Sequence, residues 1–398
     1  MEKNVKLALK QYVKMFAQNC ILPLWYDLYK RKPVIPGLII FADAHHDSRP
    51  ENMQLLYEGL AQSREKDGKI QIVEMYLNYQ KASPVKVLRH MLYFMKLYAQ
   101  ASCVVLCDNF LPSASCRKRK ETKVIQLWHA CGALKKFGYD TTDDIPKQYH
   151  GNVFRNIDLV TVSSAQCVQP FASAMRLPLN CVQPVGVCRT DVYFKNEWRE
   201  KCIQEFYRNY PQAKGKKIAL WAPTFRGNPG EPRIPKLDLQ SLQNCLGDDW
   251  MVISRVHPHM HEKYKKTDCL LTTECLFPVI DVLIADYSSL IFEYLLFNKP
   301  LVLYVPDLDE YKEKRGFYLD FSRMPGLHVK NEKNLPEAVN KEYLAYQQEK
   351  IYNRPQKTGS DAHKHHKKRE QFVELYMNSC DGHSTERVIN YIKKETQI

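Results

Sequence analysis

From residue 34 onward the chain alternates short apolar, β-branched runs with longer amphipathic stretches. The runs at 34–41, 70–77, 103–107, 124–127 and 159–162 are continuous rather than alternating, the pattern of strands buried on both faces. Between them, 53–62 and 85–101 carry helical spacing. Strand, helix and strand in this rhythm predict a parallel sheet with crossover helices. After the polar stretch 209–217 the series restarts, with runs at 218–222, 251–256, 279–285 and 301–305. The simplest account is an α/β protein of two doubly wound, Rossmann-like domains, residues 1–210 and 211–398. Two further helices are expected at 369–377 and 384–394, the first preceded by a histidine-rich tract, 357–368, that reads as a solvated basic surface. No internal repeat with a period of 20 to 50 residues is present.

The stretch ahead of the first strand has a different character. Between residues 5 and 31, Val13, Met15, Phe16, Ile21, Leu22, Leu24, Trp25, Tyr26 and Leu28 are mixed with Lys6, Lys10, Lys14, Lys30 and Arg31. This composition fits either an interfacial helix on anionic lipid or a helix packed on the protein's own core. Pro23 is expected to break it.

Charge narrows the partners. The 398 residues carry a formal charge of +14, which calls for a polyanion: lipid headgroups, a phosphorylated substrate or nucleic acid. The start of the chain lacks the basic-then-apolar pattern of a secretory signal, and no apolar run approaches the roughly 18 residues that span a bilayer, so a cytosolic protein is expected. The thirteen cysteines sit singly, without a Cys-x-x-Cys pair, and read as reduced core residues rather than disulfides or a zinc site.

Three segments carry candidate chemistry. Gln126-Leu127-Trp128-His129 ends a strand and runs through Ala130, Cys131 and Gly132. It places an imidazole at the carboxyl edge of a parallel sheet, where open α/β folds bind ligands. Such a histidine either takes a proton from an attacking hydroxyl or only bonds the backbone. In Ser254-Arg255-Val256-His257-Pro258-His259, alternation puts Arg255 and His257 on one side of an extended segment, able to address one diphosphate. In Asp286-Tyr287-Ser288-Ser289, a strand end enters a helix, so Ser288 and Ser289 offer hydroxyls and amides to an anion. Glu293, one turn on, can accept from ribose hydroxyls or stand as a solvated glutamate. Two loops, one holding Thr224 and Arg226 and the other Arg315, bring further arginines to that edge.

Taken in order, these segments resemble the CDP-glycerol glycerophosphotransferase family of teichoic acid synthesis. The likeness rests on Trp128-His129 through Gly138, Gly186 through Asp191, Ala222-Pro223-Thr224-Phe225-Arg226, Arg255 through Pro258, Asp281 through Glu293, Asn298-Lys299-Pro300, Arg315 through Tyr318, Asp381-Gly382 and Glu386-Arg387. The resemblance implies a GT-B-like fold of two Rossmann-like domains with the active site in the cleft. It implies a monotopic seat on the cytoplasmic face of the cell membrane, CDP-glycerol as donor and an undecaprenyl-diphosphate-linked saccharide as acceptor. His129 would be the general base and His257 a donor-phosphate ligand. Arg255, Ser288, Ser289, Asp286, Glu293, Thr224, Arg226, Gly132 and Arg315 would contact substrate. Where many members carry Trp-His-Gly-Thr-Pro, this chain has Trp128-His129-Ala130-Cys131-Gly132, a form similar to the short members that add a first unit.

The reaction so expected is attack of a hydroxyl on the polyol-bearing phosphorus with loss of CMP, CDP-ribitol being the alternative donor. Positioning and cationic stabilisation drive such transfers. No Asp-x-Asp or Walker-type loop stands out, so no obligatory metal or other cofactor is expected. A GT-B sugar transferase with a nucleotide-sugar donor is the other enzyme reading. A nucleic-acid module is disfavoured because the positive charge is scattered.

Overall fold

The computed structural model describes residues 11–142, 144, 145, 149–224, 226, 233–256, 269–352 and 361–397. The chain divides into two compact units, the first of Met1–Ala130, Phe137–Asp191 and Asn378–Ile398, the second of Cys131–Lys136 and Val192–Met377.

In the first unit α1 (Leu22–Tyr29) precedes β1 (Ile35–Asp43), α2 (Glu51–Asp67), β2 (Gln71–Tyr76), α3 (Pro84–Tyr98), β3 (Ala101–Leu106), β4 (Lys123–Gln126), β5 (Leu159–Thr161), α4 (Val168–Met175) and β6 (Val182–Gln183). The sheet is parallel throughout, in the order β2-β1-β3-β4-β5-β6. The first strand to fold back lies inside and the second outside it, so the order reverses between β1 and β3, the crevice where such sheets take ligands. Local signals explain the helix ends. Ser83 caps α3 by accepting from Lys86 N, with Pro84 in the first turn, and α2 stops at Gly68, whose φ of 64° is left-handed.

The second unit contains α5 (Asn196–Asn209), β7 (Lys217–Ala222), α6 (Leu239–Leu246), β8 (Trp250–Ser254), α7 (Thr273–Leu276), β9 (Val282–Ala285), α8 (Leu290–Leu295), β10 (Leu301–Tyr304), α9 (Leu308–Lys314), β11 (Leu327–Val329), α10 (Leu335–Tyr352) and α11 (Asp361–Tyr376). Its parallel sheet runs β11-β10-β9-β7-β8. The same reversal occurs here, between β7 and β9. The last helix, α12 (Ser384–Thr396), returns to the first unit.

Each sheet is buried among its own helices. Ile39, Phe41, Val105 and Ile125 pack with Met53, Leu56 and Leu60 of α2 and with Val388 and Ile392 of α12. Trp221, Ile284 and Val302 pack with Leu242 of α6, Trp250 and Val339 of α10. All thirteen cysteines are free, most of them buried.

Four features depart from the sequence reading. The division falls at 191/192, not 210/211, because Tyr193 packs on Phe277 and Phe297 and α5 lies against α7. The tail goes to the first unit because Val388 and Ile392 are fully buried there, each worth about 1.5–3 kcal/mol of transfer free energy. Pro23 does not end the first helix. Residues 11–16 are helical and a π-turn, Ala17–Ile21, leads directly into α1, a wider turn that absorbs the backbone bond Pro23 cannot donate. The histidine-rich tract is partly inward-facing: His365 lies 3.0 Å from the buried carboxylate of Glu342, and Arg369, nearly fully buried, pairs with Glu349 at 2.6 Å.

Asp191 ties the returning tail down. Its carboxylate accepts from Ser384 N at 3.0 Å and Thr385 N at 2.6 Å, the first amides of α12, while Arg387 holds Val185 O and the Asp381 carboxylate. Replacing Asp191 by Ala leaves those buried amides unpaired. We expect a loss of about 1.5–3 kcal/mol in chemical denaturation; an unchanged midpoint would show that the cap contributes nothing.

Candidate active site

The carboxyl edge of the first sheet gathers three loops. After β1 come Asp43, His45 and His46; after β3, Asp108; after β4, His129. His129 Nδ1 lies 3.2 Å from Asp108 Oδ2, and His45 Nε2 lies 4.0 Å from Asp108 Oδ1. Asp43 Oδ2 accepts from the amides of His45 and His46 at 2.7 and 2.8 Å, which folds that loop back over the strand end. Burial works to raise the Asp108 pKa, but the nearby imidazoles of His129 and His45 and the amide of Asn109 outweigh it and hold the carboxyl below its ordinary value.

The backbone delivers His129 outward by an unusual route. Trp128 has a φ of 58°, a left-handed conformation that costs a non-glycine residue about 1–3 kcal/mol. Its ring is buried against Phe137, Phe154 and Phe171, at 5.1, 6.0 and 6.3 Å between centroids, and its amide donates to Gln126 Oε1. The His129 ring stacks on that of Trp128 at 4.3 Å. Its side chain stays 47% exposed, open to a substrate while Asp108 orients it.

At the carboxyl edge of the second sheet the loop after β7 meets those after β9 and β10. Fully buried Asp286 accepts from Thr224 N and Tyr287 N. Arg226 donates to Asp286 Oδ2 at 2.9 Å and, through two nitrogens, to Asp307 at 2.7 and 3.1 Å. Its guanidinium also lies over the rings of Tyr287 and Tyr311, 4.7 and 5.0 Å from their centres. The Thr224 hydroxyl is buried and has no hydrogen-bond partner among the described residues. Leaving a buried hydroxyl so costs about 1–3 kcal/mol, and a ligand oxygen would satisfy it.

The remaining expected residues fall as follows. Ser288 and Ser289 are half-buried at the start of α8, with Ser289 at its N-cap. Glu293 is buried and accepts from the Tyr193 hydroxyl at 2.6 Å, so it is not the solvated glutamate that the sequence allowed. Arg255 follows β8 and donates to Cys269 O. Arg315 donates from Nε to Lys136 O at 2.9 Å, part of a strip in which Cys131–Lys136 runs beside residues 316–318. Gly132, at a φ of 66°, sits so close to the Phe292 ring that a Cβ would collide with it. His257 lies outside the described residues, as do His259 and His261. Within the second unit the structure thus joins Thr224, Arg226 and Asp286; within the first, His129 meets a partner the sequence reading missed. Asp108 had one usable signal: it follows the end of β3 by two residues, as His129 follows the end of β4 by three. Asp307, the other missed residue, had the same signal: it lies three residues past the end of β10.

Among the described residues, no group of three or more His, Cys, Asp or Glu side chains is arranged to hold a metal ion.

The sequence model of the CDP-Glycerol:Poly(glycerophosphate) glycerophosphotransferase family matches residues 24–394. The chain is 33% identical over 379 residues to the teichoic acid ribitol-phosphate primase of Bacillus spizizenii, covering 90% of this chain and 92% of that one. It is 30% identical over 385 residues to the teichoic acid poly(ribitol-phosphate) polymerase of the same organism, covering 92% of this chain but 58% of the polymerase. A structure of the wall teichoic acid polymerase TagF, an H444N variant soaked with CDPG, superimposes with a TM-score of 0.70 at 20% identity, over 98% of each chain.

The Arg226 network sets a test within the second unit. Burial would raise the Asp307 pKa, yet the hydrogen bonds and charge of Arg226 keep it below the ordinary value. A depressed carboxyl contributes stability that is present above the unfolded pKa, about 3.9, and lost as pH falls through the lower folded value. Arg226→Met strands Asp286 and should cost about 3–5 kcal/mol at pH 7, the gap to wild type narrowing below pH 4. A deficit that does not change with pH would show that the ion pairs are not its source.

Proposed function

The chain belongs to the CDP-glycerol:poly(glycerophosphate) glycerophosphotransferase family of teichoic acid synthesis, and from that premise we propose that it moves a polyol phosphate from a CDP-polyol to a hydroxyl of a lipid-linked saccharide, releasing CMP. The observation that carries this reading is the Asp108–His129 pair. Asp108 fixes the Nδ1–H of His129, which leaves Nε2 as the proton acceptor on an exposed ring. The acceptor hydroxyl loses its proton to Nε2, its oxygen bonds to the polyol-bearing phosphorus, and the bond from that phosphorus to the CMP oxygen breaks.

Holding the donor is assigned to the second unit. The amides and hydroxyls of Ser288 and Ser289 and the Thr224 hydroxyl face phosphate oxygens, with Arg255 and His257 supplying charge. Asp286 and Arg226 act behind them by fixing the Thr224 loop. Glu293, Gly132 and Arg315 shape the same unit through the contacts described. The proposal includes no metal, no organic cofactor and no nucleic acid.

Glycerol phosphate is the unit first assigned, as the family's description has it. Ribitol phosphate is the second reading, favoured by the 33% identity to a ribitol-phosphate primase. Addition of a single unit is the reading we take, favoured by the 33% identity to a primase; repeated addition is the alternative, favoured by the 30% identity to a polymerase.

A peripheral seat on the cytoplasmic face of the membrane completes the proposal. Among the described residues no helix is long and apolar enough to cross a bilayer. Yet Val13, Phe16, Leu24 and Leu28 are each more than half exposed, beside Lys14, Lys30 and Arg31. Helix α3, packed on α1, exposes Val85, Leu88 and Tyr93 and contains no acidic residue. Apolar side chains among cations suit an anionic lipid surface.

CMP release should be measured with CDP-glycerol and with CDP-ribitol, each with a lipid-linked disaccharide. We expect acceptor-dependent release from one donor, lowered about 10²–10⁴-fold by His129→Ala and less by Asp108→Asn. No release from either donor by folded protein would overturn the reading. For the membrane seat, Phe16→Glu with Leu24→Glu should reduce sedimentation with anionic vesicles without lowering Tm; unaltered sedimentation would refute it.

A further inference from the structure

The first unit contains a cavity of about 580 Å³ where the loops after β1 and β2 meet the opening turns of α3. Lys81, Lys86 and Arg89 line it, with Tyr76, His90 and Asp47. Among the described residues, no carboxylate forms an ion pair with any of the three cations. Asp47, the carboxylate of the lining, is engaged by Asn78 N at 2.9 Å.

His90 adds a directed donor. It lies 2.9 Å through Nδ1 from the Tyr79 hydroxyl. Burial raises the Tyr79 pKa, keeping the phenol protonated, and burial with the nearby Lys86 charge takes His90 down to about 4. The imidazole is therefore neutral, and with the phenol donating to Nδ1 its proton sits on Nε2. That atom is buried and has no partner among the described residues.

We propose that this cavity seats the diphosphate of the lipid-linked acceptor, an inference that rests on the transferase reading and adds to it where the acceptor is held. Three uncompensated cations and a neutral N–H donor match a diphosphate diester better than any neutral group. The position fits as well. In the order β2-β1-β3-β4 the cavity opens at the end nearest β2 while His129 follows β4. At about 4.8 Å per strand the two lie roughly 14 Å apart, room for the saccharide between the diphosphate and the attacking hydroxyl. Beyond the cavity α3 exposes Val85, Leu88 and Tyr93, an apolar path for the lipid chain.

The test uses the full chain and the double variant Lys86→Ala with Arg89→Ala, both side chains exposed, plus the single Lys86→Ala variant. Titration with geranyl diphosphate and with geraniol reads the cavity without turnover. We expect the double variant to bind geranyl diphosphate at least about tenfold more weakly, the single variant to fall between, and geraniol binding to be unchanged. In steady state, KM for the diphosphate-linked acceptor should rise by a similar factor, with kcat and the donor KM held and vesicle sedimentation preserved. Equal geranyl diphosphate binding by wild type and the double variant overturns the proposal. So does competition by inorganic phosphate at equal affinity, which would mark a general phosphate site, or loss of vesicle sedimentation with geranyl diphosphate binding intact, which would mark a headgroup site. Should wild type release no CMP from either donor, the transferase reading fails, while the titration still decides what the cavity binds.

Discussion

A parallel sheet has one chemically distinct edge, and most of what this protein offers a ligand follows from that constraint. Within each unit every strand points the same way, so every loop that follows a strand emerges at one edge of that unit's own sheet, whatever its distance in sequence. Asp43, Asp108 and His129 are drawn together although β1, β3 and β4 are separated by two helices and long connections. Thr224, Arg255, Asp286 and Asp307 are gathered in the same way after β7, β8, β9 and β10. Burial of the strands on both faces fixes their register, and the register fixes where each loop begins. Stability and site geometry therefore share one cause.

That cause also explains what could be read in the sequence. Strands buried on both faces appear as continuous apolar runs, so nine of the eleven were visible; β6 and β11, two and three residues long, are too short to form a run. His129, Ser288 and Asp286 were placed at sheet edges because they directly follow such runs. Their partners were less visible. Asp307 lies 81 positions from Arg226, and Tyr193 lies 100 from Glu293, and no local pattern links residues so far apart. Arg226 therefore read as a possible phosphate clamp, although its guanidinium is already engaged by two carboxylates and two rings.

The histidine-rich tract and Pro23 were misread for a related reason, since both judgements relied on composition alone. Lysine beside histidine suggests a solvated surface, but a helix has faces. In α11 His365 and Arg369 are four residues apart and share the side that meets Glu342 and Glu349. Pro23 was read as a break because its ring removes one backbone bond. The preceding π-turn, closed by Leu22 N to Ala17 O, changes the turn geometry first. Local rules failed here where a neighbouring residue had already met the cost.

The strain at Trp128 shows how one unit prepares chemistry on its own. A left-handed tryptophan persists only where its surroundings over-determine it, and here three packed aromatic rings, two of them buried, and the Gln126 side chain do so. The turn it forces lifts His129 out of the strand line, stacks it on the indole and brings Nδ1 to Asp108. Every one of these partners belongs to the first unit. Immediately afterwards, at Cys131, the chain passes into the second unit for six residues, with Gly132 in a backbone conformation and a space that a side chain would not fit. The His129 imidazole is thus oriented within the first unit alone, and the strain falls on Trp128, whose ring is locked, rather than on His129, whose ring stays exposed.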